Sequence, residues 1–191
     1  DPGLQATGWG LVCISAHHLH YEGHGIIRTT TKMSDADRLC IISAKLRDVI
    51  QRYQPDSAII EEIFVSQNAR AALRLGMARG VAIQTCGAAG LIVDEIAARA
   101  AKQAVTGTGK ADKKQMAAMV ARLLNIKQPP SDAADALAMA IAGVQAGTTT
   151  GTQKGAAPAE PQLKSNSAQS VTPGGEVQDM GPAVVSPTQA S

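Results

Sequence analysis

Four carboxylates stand out by position rather than by number. Asp1 opens a turn, Asp1-Pro2-Gly3, and either Glu61 or Glu62 ends a short apolar run, Ala58-Ile59-Ile60. Asp132 and Asp135 are spaced i, i+3 at the head of an alanine-rich segment. On a helix that spacing puts both acids on one face. A helix dipole favours an acid in the first turn, so Asp132 taken alone reads equally well as a cap. Asp135 has small apolar neighbours, Ala133, Ala134, Ala136 and Leu137, so it must meet solvent or a charged partner. Acids converging from strand and helix ends repel one another unless cations stand between them. Hard carboxylate oxygens suit Mg²⁺ or Mn²⁺ rather than zinc. Two such ions about 3.5–4 Å apart can activate a water and stabilise the leaving oxygen of a phosphodiester.

Basic residues form the second constellation. From Arg99 to Lys127 there are seven (Arg99, Lys102, Lys110, Lys113, Lys114, Arg122, Lys127) against one acid, Asp112, in a chain whose net charge is only +2. Several flank the glycine-bearing loop Thr106–Gly109, whose backbone N–H groups could meet phosphate oxygens. The loop is no Walker A motif, because Ala104 stands where its first glycine would be and Ala111 follows Lys110. Arg70 and Arg74, one helical turn apart, could track a nucleic-acid backbone.

The elements that must position these groups follow from periodicity. Thr7–Ile14 and Leu19–Ile27 read as a strand hairpin, and Ser34 with Asp37 as a capping box opening a helix whose stripe runs from Leu39 to Tyr53. Ser57–Ile63 reads as a buried strand, 67–86 as a helix with small residues on one face, and Leu91–Glu95 as another strand. Helices are expected over Ala97–Val105 and Asp112–Leu124, with a last one from Asp132 to about Ala146 capped by Ser131. The order hairpin, helix, strand, helix, strand, helices is α/β, a mixed sheet flanked by helices. Strand alternation lets only one of Glu61 and Glu62 face a common site.

Composition bounds the rest. Of the 191 residues 45% are hydrophobic but 2% aromatic, so the core must be aliphatic and large aromatic platforms for single strands are excluded. No run of 18 apolar residues offers a membrane span, and no apolar leader opens the chain. Three cysteines without a CxxC pair exclude a disulfide framework and a zinc finger, fit a reducing cytoplasm, and read as small core residues. His17, His18, His20 and His24 crowd the hairpin and read as surface histidines. After Ala146 the composition turns to Ser, Thr, Gln, Gly and Ala with five of the nine prolines. Residues 1–146 are therefore expected to form one domain and 147–191 a disordered low-complexity tail.

With these pieces in place, residues 1–146 resemble the RuvC family of crossover (Holliday) junction endodeoxyribonucleases, of the ribonuclease H-like fold. The resemblance rests on D-P-G-x4-G-W-G at Asp1–Gly10, I-I-E-E-I-F at Ile59–Phe64 and L-R-L-G-M-A-R-G-V-A-I at Leu73–Ile83. It continues with A-A-R-A-A-K-Q-A-V-T-G-T-G at Ala97–Gly109 and D-A-A-D-A-L-A-M-A-I at Asp132–Ile141. It implies that Asp1, Glu61, Asp132 and Asp135 hold two Mg²⁺ ions, replaceable by Mn²⁺, and selects Glu61 because the family's glutamate stands three residues before the phenylalanine. It implies that Lys102 and Lys113 contact DNA near the scissile phosphate, with Lys110 in the same basic cluster, and that Phe64 stacks on an unpaired base at the junction centre. It also implies a two-fold dimer built partly on the 67–86 helix, four-way junction DNA as substrate, and a branch-migration helicase of the RuvA–RuvB type as partner. The family carries an apolar strand ahead of the Asp-Pro-Gly turn. Such a lead-in strand is expected here, and a chain without it is expected to be impaired. Three rival readings are a junction-binding module with idle acids, a ribonuclease H-like RNA-processing nuclease, and an ATPase of the sugar-kinase or chaperone type. The last needs a second domain that 146 residues cannot supply.

Overall fold

The fold is that of a computed structural model, which describes residues 1–16, 18–62 and 68–147. The expected tail from residue 148 on, Phe64 and His17 lie outside the described residues. The elements run β1 (Ala6–Ser15), β2 (His18–Arg28), α1 (Asp35–Tyr53), β3 (Ser57–Glu62), α2 (Ala69–Ala88), β4 (Ile92–Ala97), α3 (Ala98–Thr106), α4 (Lys113–Leu124) and α5 (Ser131–Gln145). Strand β1 pairs antiparallel with β2, and β3 pairs parallel with β4, so both pairings of a mixed sheet occur, in two separate ladders.

Side-chain alternation divides the strands between two helical layers. On β1, Trp9 packs toward α1, its ring 5.7 Å from that of Tyr53. The next residues in alternation, Gly8, Gly10 and Val12, face α5. On β3, Ile60 joins the cluster of α1 and α2 while Ile59 packs with Met139 and Ala142 of α5. Helix α5 touches β1, β3, β4, α3 and α4. That encirclement explains its composition: Ala133, Ala134, Ala136, Leu137, Ala138, Met139, Ile141 and Ala142 are all buried. A helix surrounded on every side must be apolar all round. Full burial of Leu137 and Ile141 contributes about 1.5–3 kcal/mol each relative to exposure.

Glycines permit the close approaches. A Cβ on Gly8 would collide with the Asp132 carbonyl oxygen, and one on Gly10 would lie 2.9 Å from the Leu137 nitrogen. The backbone of β1 thus rests directly on α5, and any larger side chain would hold them apart.

Helix ends follow sequence logic in part. Ser34 caps α1 by accepting from the Asp37 N–H at 3.1 Å. The box is incomplete, however, because the Asp37 carboxylate accepts the Ser34 hydroxyl (2.7 Å) rather than the backbone. The complete box belongs to α4, where Asp112 and Gln115 bond each other's backbone N–H groups. Ser131 is not a cap. Pro130 takes that position with extended backbone, and the Ser131 hydroxyl is buried without a hydrogen-bond partner. The cysteines also depart from expectation: Cys86 is buried, whereas Cys13 and Cys40 are exposed. Cys13 lies at the outer part of the hairpin, where its thiol bonds the Glu22 carboxylate.

Candidate active site

The Asp1 turn is stitched to the strand that follows it. Gly8 N–H donates to the Asp1 carbonyl (3.0 Å), and the Asp1 amino group donates back to the Gly8 carbonyl (3.3 Å). The buried Thr7 hydroxyl donates to the Gly3 carbonyl at 2.8 Å, closing the turn from inside. Since Gly8 also abuts the main chain of Asp132, Asp1 and Asp132 meet across one glycine. Helix α5 then sets Asp135 one turn further along the same face. Glu61 follows Ile60 on β3 and shares the face of Ile59, which is the face toward α5. It is half-buried while Glu62 is exposed, in keeping with the choice of Glu61.

Electrostatics mark the convergence. The carboxylates of Glu61, Asp135 and Asp132, with the Cys86 thiol, all lie within electrostatic reach of the buried main-chain nitrogen of Asp1. In the same neighbourhood burial pushes the Cys86 thiol up. Three acids from two distant elements therefore act on one point beside Asp1. Among the described residues no three His, Cys, Asp or Glu side chains are drawn close enough to coordinate an ion. The donor chemistry still suits a hard cation: four half-buried carboxylates with no thiolate or imidazole among them. In Asp135, the charged partner expected from its apolar surroundings is Lys113 of α4, 3.6 Å away.

The basic residues fall into two groups. Lys102 on α3 is half-buried, and Lys110 and Lys113 are exposed on either side of the start of α4. The Thr106–Gly109 loop between α3 and α4 does not offer its backbone freely. The Thr108 N–H turns to the Thr106 hydroxyl (3.4 Å) and the Lys110 N–H to the Thr108 hydroxyl (3.3 Å). Two N–H groups of the expected phosphate cradle are thus taken up by threonine hydroxyls. Arg70 and Arg74, at the head of α2, line a groove with Leu4 and Gln5, just past the Asp1 turn. Arg74 also stands 3.6 Å from Asp35. Arg79, which sequence reasoning did not single out, donates to the Glu61 carbonyl. No side-chain pattern announces a bond to main chain.

The family model for crossover junction endodeoxyribonuclease RuvC matches residues 1–143. A protein of that name from Burkholderia vietnamiensis is 49% identical over 160 residues, covering 83% of this chain and 88% of the relative. One from Zymomonas mobilis is 46% identical over 142 residues, covering 74% and 85%. Among solved structures, Thermus thermophilus RuvC in complex with Holliday junction substrate superposes with a TM-score of 0.70 at 31% identity, covering 75% of this chain and 89% of that one. A second Thermus thermophilus RuvC structure gives 0.68 at 29% identity, covering 78% and 94%. The chain belongs to the RuvC family of crossover junction endodeoxyribonucleases, metal-dependent hydrolases of ribonuclease H-like fold.

Proposed function

We propose that this chain resolves four-way DNA junctions by two symmetric nicks, with Asp1, Glu61, Asp132 and Asp135 as its metal-binding acids. The observation that carries the reading is the meeting of Asp1 and Asp132 across Gly8, with Glu61 and Asp135 acting on the same buried point. Mg²⁺ is the ion best suited to these oxygens, and Mn²⁺ can replace it. When bound there, such ions lower the pKa of a water and stabilise charge on the departing 3′ oxygen. The protein's own part is to hold the four carboxylates in place and to bring a phosphodiester to them.

Lys102 and Lys113 meet the phosphates beside the cleaved bond. Lys113 is exposed and holds Asp135 only at 3.6 Å, a contact worth about 1 kcal/mol, so Lys113 exchanges Asp135 for a phosphate at little cost. Lys110, Arg70 and Arg74 track the backbone, contacts that position the substrate without reading its sequence. Phe64 stacks on an unpaired base at the crossover. Two nicks in register require two sites related by a two-fold axis, which a homodimer supplies. A branch-migration helicase of the RuvA–RuvB type presents the junction, and the cytoplasm is the compartment. Among the described residues no helix is long and apolar enough to cross a membrane.

A synthetic four-way junction with Mg²⁺ tests the proposal. The full-length protein is expected to leave paired nicks with 5′-phosphate and 3′-hydroxyl ends, and to spare a linear duplex of the same sequence. Binding without nicking would make the chain a junction-binding module instead. In the same assay Phe64→Ala should weaken cleavage by about ten-fold or more, given about 1–3 kcal/mol per stacked base, and leave duplex binding intact. Equal losses in both would return Phe64 to the core.

A further inference from the structure

Arg79 of α2 stands between the ends of two strands. Its Nε donates to the main-chain carbonyl of Glu61 on β3 at 3.1 Å, and its Nη2 pairs with the Glu95 carboxylate on β4. Glu95 lies opposite Ile60 in the parallel ladder, one residue from the Glu61–Ile96 pair. One guanidinium thus ties β3 to β4 near their C-terminal ends, beside the Glu61–Ile96 pair. The base of this tie is rigid: Ala78, beside Arg79, is fully buried and shares a cluster with Ile60 and Ala82. Neither group held by Arg79 is the Glu61 carboxylate, so the arginine leaves that carboxylate free. Yet the side chain departs from the same backbone unit, and a tilt of that unit moves the carboxylate further than it moves the carbonyl. The planar fork of arginine is suited to bonding two acceptors at once, which the single ammonium of lysine does less rigidly.

We infer that Arg79 is a positioning residue that clamps the ends of β3 and β4 and so sets the Glu61 carboxylate for metal binding. This rests on the reading of Glu61 as a metal ligand.

The test is Mn²⁺ binding to the full-length protein without DNA, read by electron paramagnetic resonance. It is accompanied by junction binding in EDTA, the Mg²⁺ dependence of nicking, and melting temperature. Arg79→Gln and Arg79→Lys are each expected to weaken Mn²⁺ binding by about ten-fold and to raise the Mg²⁺ needed for half-maximal nicking by a similar factor. Junction affinity should change by less than about two-fold, because such partners act on the metal through its ligand. Glu95→Gln, at a carboxylate near the surface, should shift metal affinity in the same direction by a smaller factor. It carries the test alone if the Arg79 variants fail to fold. Full Mn²⁺ affinity in Arg79→Lys would reduce the residue's role to charge and overturn the clamp, as would unaltered Mn²⁺ affinity in Glu95→Gln. Glu61→Gln separates the two readings. If it binds Mn²⁺ and nicks like the unaltered protein, the assignment of Glu61 fails. If it is defective while the Arg79 and Glu95 variants bind metal normally, only the clamp fails.

Discussion

In the full-length protein, Asp132→Asn is expected to reduce junction nicking by about 10³-fold or more while leaving junction binding equal or slightly tighter. The substitution preserves shape and removes one negative oxygen donor. A ligand lost from a site that must stabilise charge in the transition state costs several kcal/mol, and each 1.4 kcal/mol or so is a factor of ten in rate. Binding moves the other way because an anion facing phosphates has gone. The alternative reading of Asp132 as a cap for α5 predicts something else. Asparagine is as good a cap as aspartate, so both activity and stability would survive. Helix α5 takes Pro130 at the cap position and begins at Ser131, which already removes Asp132 from that role. Nicking above a tenth of the unaltered rate would sink the assignment. Gel separation of nicked junction strands, with gel-shift binding in EDTA alongside, provides both measurements.

The second large effect is expected from a residue with no side chain. Gly8→Ala drives a methyl group into the Asp132 carbonyl oxygen and to 2.6 Å from its carbon, both main-chain atoms that cannot rotate aside. Strand and helix must separate by about 1 Å or more to restore ordinary contact. Overpacking of this kind costs about 1–3 kcal/mol in stability. Displacing a positioned group by about 1 Å can cost about 10²-fold in rate. The variant should therefore melt lower and nick at about a hundredth of the normal rate even at temperatures where it is folded. A Gly8→Ala protein that melts and nicks normally would show that β1 and α5 do not meet in this way.

The sequence was informative wherever a local rule governed the outcome. The hairpin, the strand ending at Glu62 and the helices all fall within about two residues of expectation, since alternation and the 3.6-residue period act over short spans. The candidate acids stand at a turn, a strand end and a helix start, places that each leave a local mark, and Glu61 is half-buried where Glu62 is exposed. What failed depended on which atom wins a competition in three dimensions. Ser131 has the composition of a cap, but the helix starts on it and its hydroxyl is enclosed. The Thr106–Gly109 loop has the composition of a phosphate cradle, but the N–H groups of Thr108 and Lys110 turn to threonine hydroxyls. The Arg79 bond to a main-chain oxygen and the Gly8 contact with Asp132 join residues 18 and 124 positions apart, which no short window reveals.

The encirclement of α5 has a consequence for how the protein can vary. The same rod fills the interior and presents two of the four acids at its tip. A cavity opened at Leu137 or Ile141, well away from any substrate, shifts the rod and is felt at Asp132 and Asp135. Under the proposed assignment of Asp132 and Asp135, tolerance to heat and speed of turnover draw on one set of buried α5 side chains, Leu137 and Ile141 among them. Adaptation to a new temperature should leave α5 alone and act through the outward faces of α1 and α4.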